Sequence, residues 1–296
     1  MKVISVIGSG TMGNGIAHTF ALSGFKVNII DLSTERIVDA VNNITRNLDR
    51  QLQKGIITKA QQTNTLANIQ GFTELEAGVK DADLVIEAAT ENMDIKLKIF
   101  GDLDKFCKAS AIMASNTSSI SITKIATVTT RPDKVIGMHF MNPVPIMKLV
   151  EVIRGFSTSD QTTNKTMDLA VKIGKVPVEV NDYPGFVANR ILMPMINEAI
   201  QCLHEGVAGI SEIDTVMKLG MSHPMGPLQL ADFIGLDVCL AILNVLYQGF
   251  GNPKYAPSPL LVNMVASGQL GVKSGGGFYD YSAGTRDLVV SKKWQK

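Results

Sequence analysis

The chain has 296 residues, 45% of them hydrophobic and 19% charged, with a formal net charge of +1. That length suits two domains, and that balance describes a chain with a large core rather than a disordered one. No long basic run is present, so neither nucleic acid nor an anionic membrane surface is expected as a partner.

Cys107, Cys202 and Cys239 are scattered and form no C-x-x-C pair. That argues for a reducing, cytoplasmic setting and against a disulfide frame or a zinc site; no metal is expected. No stretch approaches the ~20 apolar residues of a membrane span, and the short apolar run at the start reads as a buried strand, not a secretion signal.

"KVISVIG" is β-branched, as a strand buried on both faces requires. It enters Gly8-Ser9-Gly10-Thr11-Met12-Gly13, then an alanine-rich helical stretch stopped by Gly24, then a second strand, "KVNIID", closing on Asp31. A bare G-x-G-x-x-G is weak evidence. Between strand and helix, with an acid ending the next strand, it reads as a dinucleotide site. Gly8 serves the tight turn, Gly10 the approach of phosphate and Gly13 close helix–strand packing, while the helix N-terminus offers unpaired N–H groups to the anion. Asp31 would accept hydrogen bonds from ribose hydroxyls and repel a 2′-phosphate, so NAD is expected over NADP. Arg36 reads as a helix-surface residue.

Ile37, Val41, Ile44, Leu48 and Leu52 recur at spacings of four, three, four and four, which predicts a one-faced helix ended by Gly55. "TKAQQTNTLANI" predicts a second helix, so the pair forms a helical hairpin inserted into the sheet unit. Its polar face carries Arg46, Arg50 and Lys54, on composition alone a solvated charged face. "ADLVIEAATEN" predicts a strand and loop reaching Glu91, with Lys96 in the following helix; "AIMASNTSSISI" predicts a strand leading into Asn116 and Ser118. Ligands of open parallel sheets sit beyond strand carboxyl ends, which is where these residues fall. Of the adjacent Ser118 and Ser119, one is expected to cap the next helix and the other to face the cleft. No G-x-S-x-G elbow occurs, so Ser118 is not read as a nucleophile.

"VIGMHF" predicts a strand, "MNPVP" a turn and "IMKLVEVI" a returning strand. A hairpin folded about Pro145 sets His139 opposite Glu151, with Cβ atoms ~5 Å apart. An imidazole oriented by a carboxylate suits general acid–base work near neutral pH. His18, His204 and His223 lack such a setting and read as structural.

From "VNDYPGFVANRIL" onward strands give way to helices, with Pro184 in a first helical turn, Asn189 one turn on, and Pro194 predicting a kink. Ser211 reads as an N-cap. "GPLQLADFIGLDVCLAILNVLY" reads as a helix apolar on most faces, which must be covered either by its own domain or by another subunit, and a homodimer mainly through this region is expected. "GVKSGGGFYDY" reads as a mobile or tightly turning loop, with Lys273 available to reach the cleft, and the tail after Tyr281 is expected to fray. The predicted architecture is an α/β Rossmann-type doubly wound sheet with a helical-hairpin insertion over 1–182. An all-α C-terminal domain, for substrate cleft and dimerisation, occupies 183–296.

G-x-G-x-M-G-x-G-I-A at the start, S-N-T-S-S-I at 115–120, G-M-H-F-M-N-P-V-P-x-M-K-L-V-E-V-I at 137–153, P-G-F-V-x-N-R at 184–190 and P-M-G-P at 224–227 together resemble the L-3-hydroxyacyl-CoA dehydrogenases, and within them the bacterial 3-hydroxybutyryl-CoA subgroup. The likeness runs from Met1 to about Tyr281, and the single-function form, with no preceding hydratase domain, is expected. It implies NAD-dependent interconversion of a (3S)-hydroxyacyl-CoA and a 3-ketoacyl-CoA. His139 would be the general base oriented by Glu151, with Ser118 and Asn189 holding the substrate oxygens and Asn142 supporting the cleft. Gly8, Ser9, Gly10, Thr11, Met12, Gly13, Asp31, Glu91, Lys96, Asn116, Ser118, Asn142 and Lys273 would meet NAD. Lys54 matches a lysine the family directs at coenzyme A, and a serine used there by some members corresponds to Asn47, a departure at the adenosine end. The rivals are a sugar-acid dehydrogenase of the gulonate 3-dehydrogenase kind and a non-catalytic nucleotide-binding structural protein. Lys54 favours the thioester over the first, and the intact His139, Glu151, Ser118 and Asn189 oppose the second.

Overall fold

The computed structural model describes residues 1–284 and 288–295. The chain divides into two compact units, Met1–Tyr183 and Pro184–Lys296.

In the first unit the order is β1 (Val3–Ile7), α1 (Thr11–Leu22), β2 (Lys26–Ile30), α2 (Thr34–Gln53), α3 (Lys59–Ala67), β3 (Ile69–Phe72), α4 (Leu75–Val79), β4 (Leu84–Glu87), α5 (Met93–Phe106) and β5 (Ile112–Ser115). Then come α6 (Ile122–Ala126), β6 (Val135–Phe140), β7 (Leu149–Arg154), α7 (Asp160–Lys172) and β8 (Val176–Asn181). The eight strands form one sheet in the order β3-β2-β1-β4-β5-β6-β7-β8. The first six run parallel, β7 returns antiparallel to β6, and β8 runs parallel to β7. The strand order reverses beside β1, between β2 and β4, and there the carboxyl ends of an open sheet leave a crevice for a dinucleotide. Strands β4, β5 and β6 are buried along their whole length, as covered parallel strands must be.

Local chemistry starts and stops the helices. Ser33 caps α2 through the Arg36 N–H, the aligned apolar residues Ile37, Ile44 and Leu48 are buried, and Gly55 with φ of +67° leaves the helix. Thr58 and Gln61 form a capping box on α3. Two strands had no counterpart in the sequence reading. β3, "IQGF", is four residues long with only intermediate burial at its ends, and β8, "VPVEVN", is a mostly exposed edge strand containing Pro177. The returning strand also starts later than expected, at Leu149 rather than Ile146. Ile146 and Met147 both donate their N–H groups to the Pro143 carbonyl and so belong to the turn.

The second unit contains α8 (Ala188–His204), α9 (Ile210–Thr215), α10 (Pro227–Ile234), α11 (Leu236–Phe250), α12 (Pro259–Ala266) and a short antiparallel pair, β9 (Tyr279–Asp280) with β10 (Val289–Val290). Four details differ from expectation. Pro184 precedes the helix rather than opening it, because Gly185 and Phe186 both take positive φ and helical backbone begins at Ala188. Gly209, not Ser211, caps α9. The long apolar run is two helices meeting at 97°, broken at Gly235 with φ of +102°; no single helix among the described residues is long and apolar enough to cross a membrane. The tail beyond Tyr281 returns as β10, and Ser291 bonds back to Phe278 and Gly277.

Two buried carboxylates organise this unit. Asp214 accepts from the N–H groups of Leu228 and Gln229 and from the Tyr279 hydroxyl, and Asp232 from the N–H groups of Phe278 and Tyr279 and from Tyr281. Segment 271–281 is therefore a tight turn locked to α10. Burial, with the charge of Asp214 added, pushes Asp232 up to about 6 despite those hydrogen bonds. The first unit holds the opposite case. His18 on α1 is fully buried, and among the described residues neither ring nitrogen has a hydrogen-bond partner. Burial first, and the charge of Lys175 second, lower it to about 4.

The two groups pull in opposite directions with pH. A histidine depressed on folding stabilises above its unfolded value of 6.5 and loses that stability as pH falls; a raised carboxyl gains stability over the same fall. Between pH 7 and 5 the first unit should lose about 2 kcal/mol through His18 while the second becomes more stable. Amide exchange resolved by unit measures both. His18→Leu should flatten the response of the first unit, and an unchanged response would show that His18 is not its cause.

Candidate active site

The β1–α1 turn has little room for side chains. Gly8 has φ of +91°, and a Cβ there would lie 2.6 Å from the Ala88 carbonyl; a Cβ on Gly13 would lie 1.8 Å from the Gly8 carbonyl oxygen. Gly10, the N-cap of α1, is different, since a Cβ would meet nothing within 4 Å. The open space lies where the N–H groups of Thr11, Met12 and Gly13 begin the helix without intrahelical partners, the geometry that receives a pyrophosphate. Asp31 stands beside it. Its Oδ2 accepts from the Ser9 N–H and the Ser9 hydroxyl, each at 2.7 Å, and its Oδ1 from the Leu32 N–H at 2.7 Å and the Arg36 guanidinium at 3.5 Å. Burial works to raise this carboxyl, but those hydrogen bonds and the Arg36 charge outweigh it and hold Asp31 below the ordinary carboxylate range. An ionised acceptor at the end of β2, aligned by the glycine turn itself, fits the ribose hydroxyls of NAD. Exposed Arg36 thus reaches back to Asp31.

At the ends of β4 and β5 lies a cluster that sequence reasoning missed. Glu87 and Lys96 form an ion pair at 2.5 Å with side chains essentially sealed from solvent, and Glu87 also accepts from the Ser115 hydroxyl and the Ala89 N–H. The signal was present in outline, since an acid ends an otherwise apolar strand nine residues before a lysine in a helix. Glu91 curls over the next loop. Its Oε1 accepts from the Thr117 hydroxyl, the Ser118 N–H, and the N–H and hydroxyl of Ser119, and its Oε2 lies 3.8 Å from Lys96. Neither Ser118 nor Ser119 caps α6; Ser121 does, and Asp182 also accepts from Ser121, Ile122 and Thr123. Asn116 directs its amide oxygen to the Phe140 N–H at 2.9 Å and so braces the strand that carries His139.

β6 and β7 pair with His139 opposite Glu151, and the His139 Nδ1 lies 2.8 Å from the Glu151 carboxylate. Both residues are buried, His139 at 6% exposure and Glu151 at 3%. A carboxylate only accepts, so with Glu151 ionised Nδ1 carries a proton and the exchangeable position is Nε2. Asn142 is exposed on the turn two residues past Phe140. On α2, Asn47 is half-buried and Lys54 is the exposed C-cap, so the hairpin does present a basic end. In the second unit Asn189 is buried in the first turn of α8, and Lys273 forms an ion pair with Asp237 at the start of α11.

Residues 3–183 match the model of the 3-hydroxyacyl-CoA dehydrogenase NAD-binding domain, and residues 185–281 that of the C-terminal domain of the same proteins. The chain belongs to the 3-hydroxyacyl-CoA dehydrogenase family. It is 53% identical over 279 residues to a 3-hydroxybutyryl-CoA dehydrogenase of Clostridioides difficile, covering 94% of this chain and 99% of that one. It is 51% identical over 281 residues to one of Bradyrhizobium diazoefficiens, covering 95% and 96%. Its fold is similar to the crystal structure of (S)-3-hydroxybutyryl-CoA dehydrogenase from Ralstonia eutropha, with a TM-score of 0.92 at 50% identity, covering 95% of this chain and 99% of that one. The first unit is thus the NAD-binding domain of a 3-hydroxyacyl-CoA dehydrogenase, and the enzyme uses NAD.

Asp31 gives a direct test of nucleotide choice. Asp31→Ser removes the acceptor for Ser9 and the one expected for ribose, and hydrogen bonds to a charged group of about 1.5–3 kcal/mol correspond to a loss of roughly 10–100-fold in NADH affinity. Discrimination against NADPH should fall with it. An NADH:NADPH ratio unchanged in steady-state kinetics would remove Asp31 as the determinant.

Proposed function

We propose that the chain interconverts (3S)-3-hydroxybutyryl-CoA and acetoacetyl-CoA, with His139 and Glu151 as the acid–base pair. The observation that carries this is the buried 2.8 Å contact between the His139 Nδ1 and the Glu151 carboxylate at the carboxyl end of β6, on a nucleotide-binding sheet. NAD, bound at the β1–α1 turn, supplies the hydride acceptor. During oxidation His139 Nε2 takes the proton of the C3 hydroxyl as the C3 hydrogen leaves with its electron pair, and Glu151 stabilises the resulting imidazolium. In reduction the imidazolium returns the proton to the C3 oxygen. Ser118 would bond the same oxygen and polarise it, while Asn142 and Asn189 offer amides for holding substrate. Glu91, Lys96 and Asn116 join the turn residues as cofactor ligands. Asn47 and Lys54 on α2 are assigned to coenzyme A, supported by the basic end that Arg50 and Lys54 form. Three unpaired thiols suit a reducing cytoplasm.

Reduction of acetoacetyl-CoA by NADH, beside a longer 3-ketoacyl-CoA, tests the activity. His139→Gln should leave NADH binding nearly intact and lower turnover roughly 10²–10⁴-fold; near-native turnover would defeat the assignment. Glu151→Gln should move the pH profile of reduction downward, because the imidazolium loses its carboxylate partner. A profile that stays in place would make the pair merely structural.

We also propose a homodimer through the second unit. Val207, Val216, Leu219 and Met221 are each at least 60% exposed, apolar side chains close in sequence that a second copy would cover. Light scattering should give twice the 31.9 kDa chain mass, and a monomer mass at micromolar concentration would contradict the proposal.

A further inference from the structure

Lys175 has no part in the chemistry above, yet it is 93% buried at the active end of the sheet, immediately before β8 (relative exposure 7%). Its ammonium donates to the Val144 carbonyl at 2.5 Å and to the Met147 carbonyl at 2.8 Å. Both carbonyls belong to the turn that joins β6 to β7, whose two strands carry His139 and Glu151 and whose second residue is Asn142. Helix α1 fixes that turn as well. Val144 is buried against α1 at Gly15, so closely that a Cβ on Gly15 would lie 2.8 Å from the Val144 Cβ. Phe140, at the end of β6, meets Phe20 of α1 edge-on at 6.4 Å. The turn is thus held both by the helix whose N-terminus faces the dinucleotide crevice and by a buried cation.

A buried lysine is an expensive way to satisfy two carbonyls, since its charge must leave water. In return it gives a directional tie at two points along a turn with only two internal backbone bonds, from Ile146 and Met147 to Pro143. We propose that Lys175 is a positioning residue for proton transfer: by clamping the 143–147 turn against α1 it sets where His139 and Asn142 stand relative to the crevice. This rests on the acid–base reading of His139 given above. Positioning acts steeply on rate, a misplacement of ~1 Å being enough for roughly a 10²-fold loss.

The experiment uses the full chain with Lys175→Met, which keeps the stem and removes the ammonium, and Lys175→Arg, which keeps a cation with donors. Turnover of acetoacetyl-CoA with NADH is measured beside NADH affinity by fluorescence and amide exchange at Ile146 and Met147. Lys175→Met should lower kcat by roughly 10–100-fold while NADH affinity holds, with faster exchange at those two amides; Lys175→Arg should restore most of kcat and the protection. A folded Lys175→Met chain with near-native kcat, or one whose loss lies wholly in NADH affinity, overturns the proposal. Should Lys175→Met not fold, Gly15→Ala displaces the same turn through its Val144 contact and must show the same kcat loss; native kcat there, or failure of both variants to fold, overturns it too. A wild-type chain inactive on acetoacetyl-CoA would instead defeat the proposed function, and the exchange arm would still read the hold of Lys175 on the turn.

Discussion

The antiparallel join between β6 and β7 is the constraint on which the site depends. In a sheet whose other early pairings are parallel, it alone folds the chain straight back on itself and sets residues twelve apart in sequence directly opposite each other. A parallel crossover would have put a helix between them. The pair lies in a nearly dry layer, so the carboxylate holds the ring by a hydrogen bond far stronger than it would be in water, and the ring has one orientation. Acid–base competence of this kind comes from the backbone register, to which the side chains add their chemistry.

The rest of the crevice follows a related logic at the carboxyl ends of the parallel strands. Asp31, Glu87 and Glu91 bring three carboxylates to the carboxyl end of the sheet; Glu87 is held by a donor of its own turn, Asp31 and Glu91 by donors of the neighbouring turns. Glu87 also carries Lys96 into the interior, where neither charge would persist alone; breaking a buried pair of this type leaves an uncompensated charge at about 3–5 kcal/mol. These bonds link the β4 and β5 ends and the loop bearing Ser118 into one rigid surface, while Asn116 carries the connection on to the backbone of β6. Preorganisation of the first unit is thus built from acceptors held by backbone N–H groups together with hydroxyls and the Lys96 ammonium.

The second unit uses the same device for a different purpose. Asp214 and Asp232 are buried acceptors that tie the segment ending in Tyr281 to the helices before it. There the ionised form is disfavoured by burial, whereas Asp31 in the first unit is held ionised by its donors. Deeper burial, joined at Asp232 by the charge of Asp214, decides the difference, since the donors around Asp31 and Asp214 are comparable in number and charge.

The sequence by itself determined the pieces whose signal is local. The glycine spacing with Asp31, the one-faced α2, the Asn-Pro turn after Phe140, and the symmetry of His139 and Glu151 about Pro145 were legible, because period, turn chemistry and chain reversal act over a few residues. The caps expected at Ser118 or Ser119 and at Ser211 were not found there. Resemblance to a known family extended that reading to Lys54 and Asn189. Only the tertiary structure decided which groups meet across the sheet. The pairing of Glu87 with Lys96, the embrace of the 117–119 loop by Glu91 and the grip of Lys175 on the 143–147 turn join positions whose separation in sequence carries no period. Weak strands such as β3 and β8 likewise exist because a neighbouring strand offers unpaired backbone groups, and no pattern within four or six residues can announce that.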